Sequence, residues 1–265
     1  MQTTHFRNQL NLRRKKVGLL ILVFFGIGFP SHSQGLFGLT STSGSDNQIL
    51  SYGFFLAGHT ATYQIKYSES FFDPTNTANN QVYSIFPKYT PGFSLGFIGI
   101  LRFHDQLNLL LTPKISFYEY RLDVNYFDPQ ITFPGNDNIT GNNLGYRTEE
   151  LVNEATMVEL PLLFKYRSQR FNNTRMYFIG GGSYQFRTKR QDEANLDPIV
   201  TRGQDFTIEM GMGFEIYFKY FKFAPEIRFS HGLNNIYYAE KTPEEIRDVI
   251  SSIRRKSITI FLNFQ

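Results

Sequence analysis

Nine charged side chains stand in stretches that are otherwise apolar or aromatic: Arg102, Lys114, Glu159, Lys165, Arg167, Glu209, Glu215, Glu226 and Arg228. Side chains of these types serve two chemistries. Two carboxylates held close together can exchange protons as general acid and base. Opposite charges taken out of water can instead neutralise each other, because an unpaired buried charge is costly. The rest of the sequence supplies no partner for the first chemistry. There is no Cys, which excludes disulfides, thiolate zinc sites, a thiol nucleophile and a lipoprotein anchor. His59, His104 and His231 are isolated and lack metal-ligand spacing. Gly180, Gly181 and Gly182 suggest a phosphate cradle, but no helix and no Lys-Ser/Thr pair follows them, so strand curvature is the better reading. We therefore expect no catalytic residue, no metal and no cofactor, and read the nine charges as a structural network.

That reading depends on the elements that carry them. In VELPLLFKYRS (158–168) the even positions are Val158, Leu160, Leu162, Phe164 and Tyr166, while Glu159, Lys165 and Arg167 are all odd. Strand side chains alternate faces with period two. One face of this strand is thus wholly apolar and the other holds every charge. Aromatic residues, 28 Phe and 16 Tyr, make up 17% of the 265 residues, a bias that favours strands. The alternation predicts eight strands, over 50–65, 92–103, 107–120, 156–167, 175–187, 206–218, 221–230 and 257–265. Three connections are short, with Asn172 and Asn173 as turn formers in one of them. Four are long, over 66–91, 121–155, 188–205 and 231–256. Short turns at one end and long loops at the other are the layout of an outer-membrane β-barrel. The fold class expected is all-β: an eight-stranded antiparallel up-and-down transmembrane barrel with four long extracellular loops and both termini periplasmic. In the last loop Thr242 is expected to cap a helix, with Pro243, Glu244 and Glu245 in its first turn and Ile246, Val249, Ile250 and Ile253 recurring at helical spacing. It is expected to pack on the rim; partner docking is the sharper alternative.

Alternation alone does not say which face points inward. A soluble barrel hides its apolar face, and a membrane barrel shows it to lipid. Residue size chooses. The charged parity also holds Gly92, Ser94, Gly96, Gly181, Ser183, Gly211 and Gly213, whereas the other parity is bulky, as in Phe93, Leu95, Phe97, Met210, Met212 and Phe214. Eight strands leave an interior just wide enough for side chains to fill. Small residues with a few long charged ones suit that interior; a bulky shell suits lipid. The nine charges, five basic and four acidic, also nearly cancel, as a closed lumen requires. A filled lumen leaves no cleft for an acid–base pair. A pore is not expected either, since aqueous channels come with ~16–18 strands.

The N-terminus is expected to be a secretory signal peptide over residues 1–33. Arg13, Arg14, Lys15 and Lys16 precede an uncharged apolar run over 17–29; Pro30 breaks it, and Ser31 and Ser33 mark cleavage before Gln34. The run is short of the ~20 residues that a spanning helix needs. A flexible lead-in at 34–48 and the barrel at 49–265 follow. Residues 1–33 carry five basic side chains and no acidic one, so the formal charge of +4 falls to −1 without them. Basicity then gives no support to nucleic-acid binding. The last strand, SITIFLNFQ, places Ile258, Ile260, Leu262 and Phe264 on one face. It resembles the C-terminal signal read by outer-membrane assembly machinery, with Gln265 after the aromatic residue as a departure. Every backbone group must be paired in a membrane, so this strand should close on the first.

Four stretches carry a resemblance more specific than alternation: VYSIFPKYTPGFSLGF (82–97), LNLLLTPKISF (107–117), VELPLLFKYRSQRFNNTRMYFIGG (158–181) and FTIEMGMGFEIYFKYFKFAPEIRFSHGLNN (206–235). Together they resemble the PorT-type outer-membrane barrels of Bacteroidota, which belong to the type IX secretion and gliding machinery. The resemblance implies a non-enzymatic part in protein export, with outer-membrane lipid and other type IX components as partners. No small-molecule substrate is implied, and no catalytic residues are transferred. A small outer-membrane barrel with an adhesion or loop-binding role unrelated to secretion is the alternative.

Overall fold

Ten strand segments run through residues 48–73, 82–128, 145–188, 199–242 and 244–265, which the computed structural model describes. The expected signal peptide and all but the last residue of the lead-in lie outside the described residues. The segments are β1 (Leu50–Tyr67), β2 (Val82–Lys88), β3 (Thr90–Arg102), β4 (Leu107–Leu111), β5 (Lys114–Asp128), β6 (Gly145–Arg167), β7 (Thr174–Arg187), β8 (Gln204–Tyr217), β9 (Lys222–Gly232) and β10 (Ile250–Phe264). All pairings are antiparallel, and β1 pairs with β3 on one side and with β10 on the other, from Phe54↔Phe264 to Tyr67↔Ile250. The sheet therefore closes into a ring, the last strand on the first.

The ring has eight staves, because two of them are each written as two segments. β2 and β3 break at Tyr89, between Pro87 and Pro91, and β4 and β5 break at Thr112 and Pro113. Proline cannot donate to a ladder. At the second break Phe97 N donates to Pro113 O at 3.0 Å and Thr112 N to Pro161 O at 3.1 Å, so the neighbours still hold the interrupted stave.

The staves are longer than the alternation predicts. β6 has 23 residues and β5 runs on to Asp128, where a spanning strand needs ~9–11. The excess lies at the long-loop end, and there the meaning of the faces inverts. Along the lower staves bulky side chains such as Phe97, Phe164, Met210 and Ile260 point outward. Along the upper staves Tyr63, Ile85, Tyr120, Leu122, Val124, Leu151 and Met157 point inward and form a buried core. The outer face there carries ion pairs: Lys88 Nζ lies 2.8 Å from Asp123 and 3.3 Å from Glu150, and Arg121 Nη1 lies 3.6 Å from Glu150. The lower barrel is thus built for lipid and the upper barrel for water. This is why 82–88, 121–128 and 145–155 read as loops in sequence although they are strand.

The short turns lie at the other end, with both ends of the described barrel. Asn172 and Asn173 form a two-residue turn closed by the Phe171↔Thr174 bridge. Asn172 adopts φ 52°, a left-handed conformation that Asn tolerates.

The helix expected after Thr242 is corrected. It is one turn, Glu244–Arg247. Thr242 Oγ1 donates backward, to Tyr238 O at 3.0 Å, and Pro243 lies outside the described residues. Ile250 and Ile253 belong to β10. The four apolar residues Ile246, Val249, Ile250 and Ile253 all enter the upper core, so their burial was legible but its cause was not helical periodicity. Ile246 and Val249 reach the core from the loop, whereas Ile250 and Ile253, three apart on β10, share the inner face because the β1–β10 register shifts at Ser251.

Candidate functional site

The strands bring eight of the nine charged residues together inside the barrel. Seen from the turn end, the first cluster centres on Glu215. Lys165 Nζ donates to its Oε1 at 2.5 Å, Lys222 Nζ lies 3.3 Å from Oε1 and Arg167 Nη1 3.5 Å from Oε2, while Tyr217 donates to Oε2 at 2.9 Å. Three cations around one carboxylate leave excess positive charge. The second cluster offsets it with three glutamates around two cations. Arg228 donates to Glu226 Oε1 through Nη2 at 2.5 Å and to Glu209 Oε2 through Nη1 at 2.9 Å. Lys114 Nζ lies 3.0 Å from Glu159 Oε2 and 3.9 Å from Glu209 Oε1. Tyr118 and Gln185 donate to Glu159 at 2.7 and 3.0 Å. Tyr177 couples the clusters: its hydroxyl donates to Glu226 Oε2 at 2.9 Å, and Lys165 Nζ sits 3.7 Å above its ring.

Register explains the gathering. Lys114 faces Glu159 directly across β5 and β6, and Glu226 and Arg228 stand two apart on β9, so both point the same way. Small residues make the room. A Cβ on Gly213 would meet the Tyr177 hydroxyl at 2.5 Å. The network is buried; the side chains of Lys165 and Glu215 are 1% and 0% exposed.

Arg102 is the exception and is corrected. It lies at the turn end beside Asp105, three residues on, and pairs with that carboxylate in the turn. Its strand ends there, so its parity brings it to the rim and not to the charged layer. Lys222 takes the place it was expected to fill, so these nine residues still hold five basic and four acidic side chains; Arg175, opposite Glu215 across β7 and β8, is a further cation on the same parity. Lys222 shares the parity of Glu226 and Arg228, a signal that could have found it. Sequence reasoning also missed the inward Tyr118, Tyr177, Gln185 and Tyr217, because hydroxyls and amides do not stand out from a strand as charges do. A further buried pair, Asp205 Oδ2 to Arg255 Nη1 at 3.7 Å, sits higher, on segments read as loop.

Among the described residues the interior is packed at several levels. An apolar cluster of Phe55, Ile98, Ile100, Leu110, Leu163, Ile179 and Phe261 packs beside the charges, a feature the charged parity alone does not reveal. Arg228 stacks on it, its Cζ 4.0 Å from the Phe261 ring. Between the charged layer and the upper core a void of about 10 Å³ lies among Tyr118, Tyr120, Gln185, Thr207 and Arg255 and reaches Ser230, Lys256 and Ser257 in the wall, the room of a single water. Above it Tyr63 and Tyr120 stack at 4.1 Å, and Ile199, Ile236, Tyr237 and Ile246 from the loops close the top. Among the described residues no group of three His, Asp or Glu could hold a metal ion.

The C-terminal residues face outward. Ile258, Ile260 and Leu262 are exposed, and Phe264 stacks on Phe54 at 5.3 Å and lies 5.3 Å from Phe223. This forms part of an aromatic rim at the turn end; Phe93–Phe117 and Tyr184–Phe206, at 4.7 and 5.0 Å, contribute to another at the loop end. Two aromatic girdles bounding an apolar band are the outer surface of a membrane barrel.

The model of the outer membrane protein beta-barrel domain matches residues 41–238. No curated protein matches the chain in sequence. Solved structures similar to it include the outer membrane protein OprG of Pseudomonas aeruginosa, 11% identical with a TM-score of 0.38, covering 80% of this chain and 93% of that one. Neisserial surface protein A is 8% identical with a TM-score of 0.40, covering 82% and 98%. Ail, the attachment invasion locus protein of Yersinia pestis, is 8% identical with a TM-score of 0.32, covering 80% and 96%.

Proposed function

The chain belongs to the outer membrane protein beta-barrel domain family, and from that premise we propose that it is a non-enzymatic scaffold of the type IX secretion and gliding machinery. It is an integral outer-membrane β-barrel. Its role is to hold or assemble export components rather than to conduct cargo. The observation that carries the scaffold reading is the packing of the described interior: buried ion pairs, an apolar cluster and an upper core of strand and loop residues occupy the barrel where a passenger would have to go. The assignment to type IX secretion rests on the resemblance of 82–97, 107–117, 158–181 and 206–235 to the PorT-type barrels. Glu159, Glu215 and Glu226 each have cation and hydroxyl partners, so the network serves as internal support and not as an acid–base pair. The turn end, with both termini, faces the periplasm, and the charged upper barrel with its long loops projects outward.

The test is export of type IX cargo by a strain lacking this chain, with the protein followed in outer-membrane fractions. Cargo should accumulate in the periplasm, and the wild-type chain should restore export. Unchanged export would overturn the secretion reading and leave a loop-binding barrel as the account.

A further inference from the structure

On the outer surface of β8, β9 and β10, at the height where the apolar band gives way to charge, lies a groove of about 280 Å³. Its position is fixed by register. Lys256 faces His231 across β10 and β9, and His231 faces Ile208 across β9 and β8. One outward row lower, Ile258 faces Phe229 and Phe229 faces Met210. The upper row holds Lys256 and His231 beside the apolar Ile208, and the lower row is lipid-facing, with Met210 60% exposed. Tyr89, set at the proline-flanked break between β2 and β3, forms the other wall. Ser230 and Ser257, opposite each other, keep the floor low.

No acidic side chain lines the groove. The described outward carboxylates at comparable height, Glu119 and Glu154, face each other on β5 and β6, away from it. Asp205, on β8, points into the barrel, where Arg255 Nη1 is 3.7 Å away, and its charge also reaches His231 from the inner side. The outer face of Lys256 and His231 is therefore left for an anion. An apolar row directly beneath a cationic one matches a molecule with acyl chains and a charged head at the interface.

We infer that this groove binds a membrane lipid with a phosphate headgroup, its phosphate against Lys256 and His231 and one acyl chain along Ile258, Phe229 and Met210. The inference rests on membrane placement alone and stands whether or not the protein serves secretion. It gives the barrel one lipid-preferring side, so that it would be oriented toward anionic lipid within the membrane plane.

The test is native mass spectrometry of the full barrel in neutral detergent with three probes: phosphatidic acid, diacylglycerol of the same chains, and inorganic phosphate. The expected result is retention of phosphatidic acid alone. Lys256→Gln should weaken that retention about fivefold, the effect of one cation near an anionic lipid surface. Lys256→Gln with His231→Gln should weaken it further, and Lys256→Arg should preserve it. Heat-modifiable migration on gels reports that each variant is folded. Equal retention of diacylglycerol would overturn the inference in favour of a purely apolar groove. Equal binding of inorganic phosphate would overturn it in favour of a free-anion site. Unchanged lipid retention in folded Lys256→Gln would place the lipid elsewhere.

Discussion

Glu215 is the residue on which the lower interior depends, because Lys165, Arg167 and Lys222 all converge on it. Glu215→Gln leaves three cations facing a neutral amide. Breaking a buried pair this way costs about 3–5 kcal/mol, to be read as a lower urea midpoint for loss of the compact, heat-modifiable form in detergent. Replacing Lys165 by Met and Glu215 by Leu together should recover part of the loss, since paired removal leaves fewer charges stranded. A Glu215→Gln barrel as stable as wild type would sink the structural reading of the network, and one that folds normally but fails in export would give it a direct role. Tyr177→Phe is the milder change. It keeps the ring under Lys165 and removes the hydroxyl bonded to Glu226, a loss of about 1–3 kcal/mol by the same assay.

At the scale of elements, the β6–β7 contact tests what the glycines do. An added Cβ at Gly181 would come 2.2 Å from Leu162 O and 2.9 Å from Leu163 Cα, whereas Gly180 has nothing within 4 Å. Gly181→Ala should therefore destabilise by about 1–3 kcal/mol, as overpacking does, while Gly180→Ala should stay within about 0.5 kcal/mol. Equal effects in unfolding would mean that the strands do not approach as described. The loop segments make a second test. Ile236 and Ile246 are buried in the upper core, so Ile236→Ala with Ile246→Ala removes part of its lid, at about 2–5 kcal/mol for each fully packed site. Limited proteolysis should then cut within 233–249 under conditions that leave wild type intact, with the staves below protected. The Gly180–Gly182 run was readable as strand, but which of its three residues was needed was not; that depends on the backbone across the gap.

For the whole molecule, a filled interior predicts an electrically silent barrel. Purified protein inserted into planar bilayers should give no steady conductance, and reproducible channel steps would contradict an interior closed by side chains. The two halves also predict a division of labour. Reversing Lys88 to Glu puts three carboxylates together on the upper outer face, beside Asp123 and Glu150, in water. Such surface pairs contribute little, so thermal stability should hardly change. The same reversal at Lys165 should prevent folding.

The parity of the lower strands, the apolar shell, the number of staves and the near-neutral set of inward charges were all legible in the residue order alone. These follow from local rules: period-two alternation, turn residues, and the cost of an unpaired charge. The rest emerged only with the folded barrel. It alone extended the staves past the membrane, where inward residues become apolar and outward ones charged, because the solvent on each side changes with height and the alternation carries no label for it. It alone sent Arg102 to the rim and Lys222 to Glu215, because parity fixes a face while register fixes the height. It alone turned the periodic residues Ile246, Val249, Ile250 and Ile253 into loop and strand residues sharing one core, because a spacing of three can be met by a bulged strand as well as by a helix.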